Sequence, residues 1–289
     1  MLVPTTKLFT SYVLEDTIEN ITKAHNQVTA IKIGTSRLGR IIYALTLGHG
    51  KNNVLINASH HANEWITSVI ALKFLEDCLN NSSWMQNTTL HIIPMVNPDG
   101  VDLVTGAVHG FAYKHAQSIA AKFQLPFPNG WKANILGVDL NSNYPAKWEL
   151  AKNHKYAMGY TMPAPRDFVG DSPLCEPEST AIAAYTIANN FTHTLSLHTQ
   201  GEEIFWQYPP YEPPNAEQLA HRFSAASGYK LASVPCESSH AGYRDWFIQE
   251  FNRPGYTIEC GLGENPLPIS AFDSIYKKIA PLLCEAIYS

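Results

Sequence analysis

Charge is scarce in this chain of 289 residues: Asp, Glu, Lys and Arg together make up 16%. Basic residues are the scarcer sign, 20 Lys and Arg against 25 Asp and Glu, for a formal net charge of −5. A nucleic-acid binder needs a basic footprint, so nucleic acid is excluded as the main partner. No run of about 18 apolar residues occurs, so no membrane-spanning helix is expected. The start, Met1-Leu2-Val3-Pro4-Thr5-Thr6-Lys7, lacks a charged segment followed by an apolar core and does not read as a signal peptide. Cysteine is sparse too: Cys78, Cys175, Cys236, Cys260 and Cys284, with no C-x-x-C pair. An odd, scattered set fits reduced, mostly buried thiols better than a disulfide framework. Internal repeats and low-complexity linkers are also missing.

What is present is enough apolar residue, 45%, for a sizeable core and for one large domain or two small ones. Strand-like apolar runs alternate with helical stretches, which predicts an α/β fold. Residues 12–25 read as an opening helix. Residues 41–47 and 54–57 read as strands, separated by a turn at Gly48-His49-Gly50-Lys51. The spacing of apolar residues predicts a helix over 67–79 and a strand over 90–95. The small and polar residues of 103–135 predict a long surface excursion. A helix over 178–189, strands over 191–198 and 256–259, and a C-terminal helix over 269–287 broken near Pro281 complete the reading.

The most informative stretch is Ala58-Ser59-His60-His61-Ala62-Asn63-Glu64-Trp65, directly after an apolar strand. A histidine and a carboxylate three positions apart on one loop can grip one face of a zinc ion, leaving room for a third ligand and a water. Such a water is a nucleophile at neutral pH, because the ion lowers its pKa to about 7. His198, at the end of an apolar strand, is the expected third ligand beside His61 and Glu64. His60 and His193 are expected to be turned away by the strand pleat. Glu259 closes another strand before glycines, where a carboxylate is costly unless paired or functional. Beside an activated water it is the candidate general base. In open α/β sheets, ligands sit beyond the carboxyl ends of the strands, and His61, His198 and Glu259 all follow that rule.

The pattern His61-Ala62-Asn63-Glu64, then Asn97-Pro98-Asp99-Gly100, then Gly137-Val138-Asp139-Leu140-Asn141-Ser142-Asn143, then His198 and Glu259, resembles the zinc carboxypeptidase family over about residues 8–289. The resemblance implies a carboxypeptidase A-like mixed eight-stranded sheet flanked by helices, a single catalytic domain over residues 1–289, and one catalytic zinc. Three departures bear on substrate. The family arginine that grips a terminal carboxylate, together with the adjacent asparagine, is replaced by Ser142 next to Asn141. The oxyanion-stabilising arginine aligns with Lys132, which keeps the charge and loses the planar fork. The mobile active-site tyrosine has no counterpart at its aligned position, Ile248; Tyr243 is the nearest substitute, with a packed aromatic as its other reading.

Within the family, the segments around Asn141, His198 and Glu259 are most similar to bacillar γ-D-glutamyl-L-diamino acid endopeptidases, a subgroup that also lacks that arginine. The resemblance implies hydrolysis of the γ-D-glutamyl–meso-diaminopimelate bond in peptidoglycan stem peptides. No cell-wall-binding LysM module is recognisable, and the place of action is expected to be the cytoplasm or the spore or cell wall. A substrate with several carboxylates and an amino-acid zwitterion points to Arg166 and Arg244 as anchors, with Glu202 or Glu203 for an ammonium group. Two other functions compete. One is an ordinary carboxypeptidase releasing C-terminal amino acids, against which Ser142 argues. The other is a non-catalytic protein that binds wall peptides, against which the retained ligands and Glu259 argue.

Overall fold

The computed structural model describes residues 2–235 and 239–289. Its strands are β1 (Val28–Thr35), β2 (Ile41–Leu47), β3 (Asn52–Ala58), β4 (Thr88–Ile93), β5 (His193–His198), β6 (Glu203–Phe205), β7 (Lys230–Ala232) and β8 (Gly255–Glu259). Its helices are α1 (Ser11–Ala24), α2 (Ile66–Asn80), α3 (Pro98–Val104), α4 (Gly110–Ala120), α5 (Trp148–Ala157), α6 (Pro177–Ala188), α7 (Ala216–Ser227), α8 (Tyr243–Phe251) and α9 (Phe272–Ile287). The strands form one eight-stranded mixed sheet in the order β1-β2-β4-β3-β5-β8-β6-β7. Its centre, β4-β3-β5-β8, is parallel throughout. That explains why these strands read as near-continuous apolar runs: both faces are covered.

Side chains alternate along the central strands. Val54, Ile56, Leu195, Leu197, Tyr256 and Ile258 face a core built with α2, α7 and α9. Leu55 faces the other core, with α6 and α8. Polar residues at the ends of β5 and β8 fall on this second side. The register pairs His198 of β5 directly with Glu259 of β8.

Several elements differ from the sequence reading. Residues 103–135 are not a surface excursion throughout. They contain α4, and Ala116, Ile119, Trp131, Ala133 and Ile135 are buried in the main core. The apolar residues interspersed among the small and polar ones of this segment pack into the core. The C-terminal helix is not broken at Pro281: α9 runs through it. Pro281 removes one N–H bond, while Ile279, Leu282, Leu283 and Ala286, all buried, hold the helix on the sheet. β1, β6 and β7 were not anticipated: β1 carries a mostly exposed face, and β6 and β7 have only three residues each. Cys78 and Cys260 are buried free thiols and Cys175 and Cys284 partly buried ones, as expected; Cys236 lies outside the described residues. Among the described residues no helix is long and apolar enough to cross a membrane.

Candidate active site

The first two donors come from the turn after β3. Ser59 takes a left-handed backbone (φ 52°), which swings the chain off the sheet edge. Asn97 then fixes the loop from below, donating from Nδ2 to the carbonyl oxygens of His60 (3.1 Å) and Ala133 (3.0 Å). The Ala62 amide donates to the carbonyl of Lys132 at 3.0 Å. Gly100 is required here, because a Cβ would stand 2.6 Å from Asn97 Oδ1 and 2.7 Å from the Ala133 carbonyl oxygen. The Asn-Pro-Asp-Gly sequence is thus the scaffold of the donor loop.

His61, Glu64 and His198 offer donor atoms that all lie within 4.8 Å of one another. His61 Nδ1 is 2.9 Å from Glu64 Oε1, and His198 Nδ1 is 2.9 Å from Glu64 Oε2. The two Nδ1 atoms face each other at 3.2 Å. Two imidazoles with their lone-pair nitrogens turned inward on one buried carboxylate make a two-nitrogen, one-oxygen set, the chemistry of a catalytic zinc site. The residues therefore fit the metal. Asp139 stands behind His61, its Oδ1 3.3 Å from Nε2, and orients that ring with Nδ1 toward the metal position. Among the described residues, His198 Nε2 is buried without a partner.

The charges shape each other. Burial alone would lower the pKa of His61, but Glu64 and Asp139 outweigh it and raise it to about 9. Burial would raise the Glu64 carboxyl, yet His61, Lys132 and His198 hold it well below the usual range. Glu259 is pushed up to about 8 by burial and then by Glu64, with Lys132 and His61 opposing. Lys132 donates from Nζ to Glu64 Oε1 at 2.9 Å. Its ammonium is disfavoured by burial but retained by Glu64 and Glu259, which raise its pKa.

Two adjoining cavities open on this cluster, of about 240 Å³ and about 450 Å³. Lys132, Arg166, Phe205 and Glu259 line both. Asn141, Ser142 and Arg244 line the first. Tyr243 does not reach either, and the packed reading replaces the substrate-binding one. It is fully buried at the start of α8, its ring set among His60, Tyr144 and Trp246 and its hydroxyl 2.9 Å from Thr186 Oγ1. Ile248, further along α8, is interior as well. Asn141 ties this helix to the site by accepting from the Tyr243 amide at 3.1 Å.

His193 points to the opposite core, with Nε2 2.9 Å from the Ala286 carbonyl oxygen. His60 stays out of the donor set for a different reason. Its ring stacks near His198 at 5.9 Å, but its Nε2 is engaged with the Tyr144 hydroxyl at 2.9 Å. The sequence reading missed Asp139, Lys155, Asp167 and Asp245 in the cavity lining. Asp139 carried a signal, a lone carboxylate inside an apolar run; the others look like ordinary surface charges until the chain is folded.

Comparison with known proteins agrees with this geometry. A family model described as zinc carboxypeptidase matches residues 14–280. The chain is 40% identical over 283 residues to gamma-D-glutamyl-L-diamino acid endopeptidase 1 of Lysinibacillus sphaericus, covering 94% of this chain and 70% of that protein. It shares its fold with thrombin activatable fibrinolysis inhibitor (TM-score 0.75, 18% identity, 98% of this chain and 74% of that one). The same holds for carboxypeptidase A from Helicoverpa armigera (TM-score 0.73, 18% identity, 99% and 75%).

Proposed function

Because the chain belongs to the zinc carboxypeptidase family, we propose that it hydrolyses the γ-D-glutamyl–meso-diaminopimelate bond of peptidoglycan stem peptides, with one zinc held by His61, Glu64 and His198. The observation that carries the reading is the convergence of these donors with Glu259, which pairs with His198 across neighbouring strand ends. The relative named for γ-D-glutamyl-L-diamino acid hydrolysis supports the choice of substrate. So does Ser142, which lines the first cavity and cannot make the bidentate contact that an arginine makes with a terminal carboxylate. The neighbouring charges carry both signs, Arg244 with Asp245 and Lys155 with Asp167, which suits a substrate bearing a zwitterion.

When bound, zinc supplies a water of pKa about 7 and polarises the amide carbonyl. Glu259 takes the proton of the attacking water and later hands it to the departing amine. Lys132 faces the negative charge developing on the carbonyl oxygen. Asp139 keeps His61 in the tautomer that leaves Nδ1 free. Asn141, Ser142 and Arg244 contact the substrate in the first cavity.

The test is incubation of the zinc-loaded protein with L-Ala-γ-D-Glu-diaminopimelate and with a panel of blocked α-dipeptides, followed by mass spectrometry. The expected products are L-Ala-D-Glu and free diaminopimelate. Release of C-terminal amino acids from the α-dipeptides alone would replace this reading by an ordinary carboxypeptidase. Binding of stem peptides with no bond cut would make the protein a non-catalytic binder.

A further inference from the structure

We propose that Arg166 selects the glutamyl half of the substrate by donating to its free α-carboxylate, so that the protein favours an unamidated γ-D-glutamyl residue over the isoglutaminyl form. The inference rests on the function proposed above.

The first ground is position. Arg166 lines both cavities, beside Glu259 and Lys132, and so stands at the seam where the reacting carbonyl must lie. A γ-linkage leaves the glutamyl α-carboxyl free, four bonds from that carbonyl, within reach of the same seam.

The second ground is charge. Asp167 is a single carboxylate serving two cations. Lys155 Nζ bonds its Oδ1, and Arg166 Nε donates to its Oδ2 at 2.5 Å. Lys155 is only 7% exposed, whereas the Arg166 side chain is 43% exposed, so of these two cations it is Arg166 that is presented to the cavities. Among the described residues, neither terminal nitrogen of Arg166 has a hydrogen-bond partner. Two other cations of the lining already donate to carboxylates, Arg244 to Asp245 and Lys132 to Glu64. Glu203 and Glu264 line the second cavity and repel a carboxylate placed elsewhere in it. An additional anion therefore finds exposed, unengaged guanidinium donors at Arg166.

The third ground is rigidity. The Asp167 amide donates to Asp139 Oδ2 at 3.0 Å, and Asp139 is the carboxylate that orients His61. The guanidinium is thereby registered to the metal donors through two carboxylates. A planar guanidinium with two free nitrogens fits a carboxylate bidentately, and an amide in its place loses the charge and one acceptor.

The experiment compares kcat/KM for L-Ala-γ-D-Glu-diaminopimelate and for the same tripeptide with the glutamyl α-carboxyl amidated, using wild type, Arg166→Gln and Arg166→Lys. Wild type should prefer the acid by about 10- to 100-fold, the effect of a lost charge-assisted hydrogen bond. Arg166→Gln should bring the ratio to within about threefold of unity, chiefly through KM, and Arg166→Lys should fall between. Calorimetric titration of the same proteins with L-Ala-D-Glu and L-Ala-D-isoglutamine reads the preference without turnover. A wild type indifferent to amidation, or an Arg166→Gln variant that keeps the wild-type preference, overturns the inference alone. A wild type that cleaves neither γ-linked tripeptide overturns the proposed function, and the inference with it.

Discussion

Under the proposed function, Glu259 and Asp139 carry different duties at the residue scale, and their substitutions separate them. Glu259 touches no zinc donor atom in a hydrogen bond, so Glu259→Gln should leave metal binding intact. Turnover should fall by at least about 100-fold, the contribution of a positioned proton-transfer group. Zinc content by atomic emission and peptide hydrolysis on one sample check both halves; full activity would remove Glu259 from the role of base. Asp139 acts through His61 at 3.3 Å. Asp139→Asn should weaken zinc affinity about 10- to 100-fold, as loss of a partner to a metal-bound histidine does. Chelator competition measures this directly, and an unchanged affinity would show that Asp139 does not orient the ring.

Tyr243 marks where residue-level reading stopped. A tyrosine directly after a glycine gives no hint of which face of its helix is buried. The structure packs it against His60, Tyr144 and Trp246. By contrast, His61 and Glu64 were legible because their spacing is local, and a short loop brings both donors together whatever the rest of the chain does.

At the scale of elements, strand order decides the site. β5 and β8 are far apart in sequence and adjacent in the sheet, and their parallel register sets His198 beside Glu259. α9 lies against the same strands from the other side, where His193 meets the Ala286 carbonyl oxygen. Burial lowers the His193 pKa from 6.5 to about 4, so the fold holds it neutral. As pH falls below about 6.5 the unfolded chain takes up this proton first. Stability is therefore lost between pH 6.5 and 4, and this contribution levels off below pH 4, up to about 3 kcal/mol for the one group. Buried His91, also lowered to about 4, adds to the same loss. His193→Gln should lower stability at pH 7 by about 1–2 kcal/mol through a weaker buried hydrogen bond. It should also show a shallower decline into acid. Denaturant midpoints at pH 7, 6, 5 and 4 measure the difference; parallel curves for the two proteins would contradict it.

Across the whole molecule, the three donors come from the turn after β3 and the end of β5, while Glu259 comes from the end of β8. The donors share one position only when the sheet is assembled, so zinc should bind the native state far better than the unfolded chain. At a free concentration 100 times its dissociation constant, zinc should then add about 2.7 kcal/mol to stability. Thermal unfolding with zinc, with chelator, and with His198→Ala tests this. The midpoint should rise with zinc in the wild type and stay flat in the variant. An unresponsive wild-type midpoint would argue against a resident metal.

The sequence by itself determined the local parts: a His-x-x-Glu pair on one loop, the alternation of apolar strands and helices, and the placing of polar residues at strand ends. These follow from covalent spacing and from the burial periods of helix and strand, which act over a few residues. Only the tertiary structure decided the rest. It paired His198 with Glu259, turned Tyr243 inward, carried α9 through Pro281, buried Trp131 and Ala133, and gathered Lys155 and Arg166 around the Asp167 carboxylate. The reason is physical: which face of an element meets solvent, and which charges share a cavity, depend on neighbours distant in the chain.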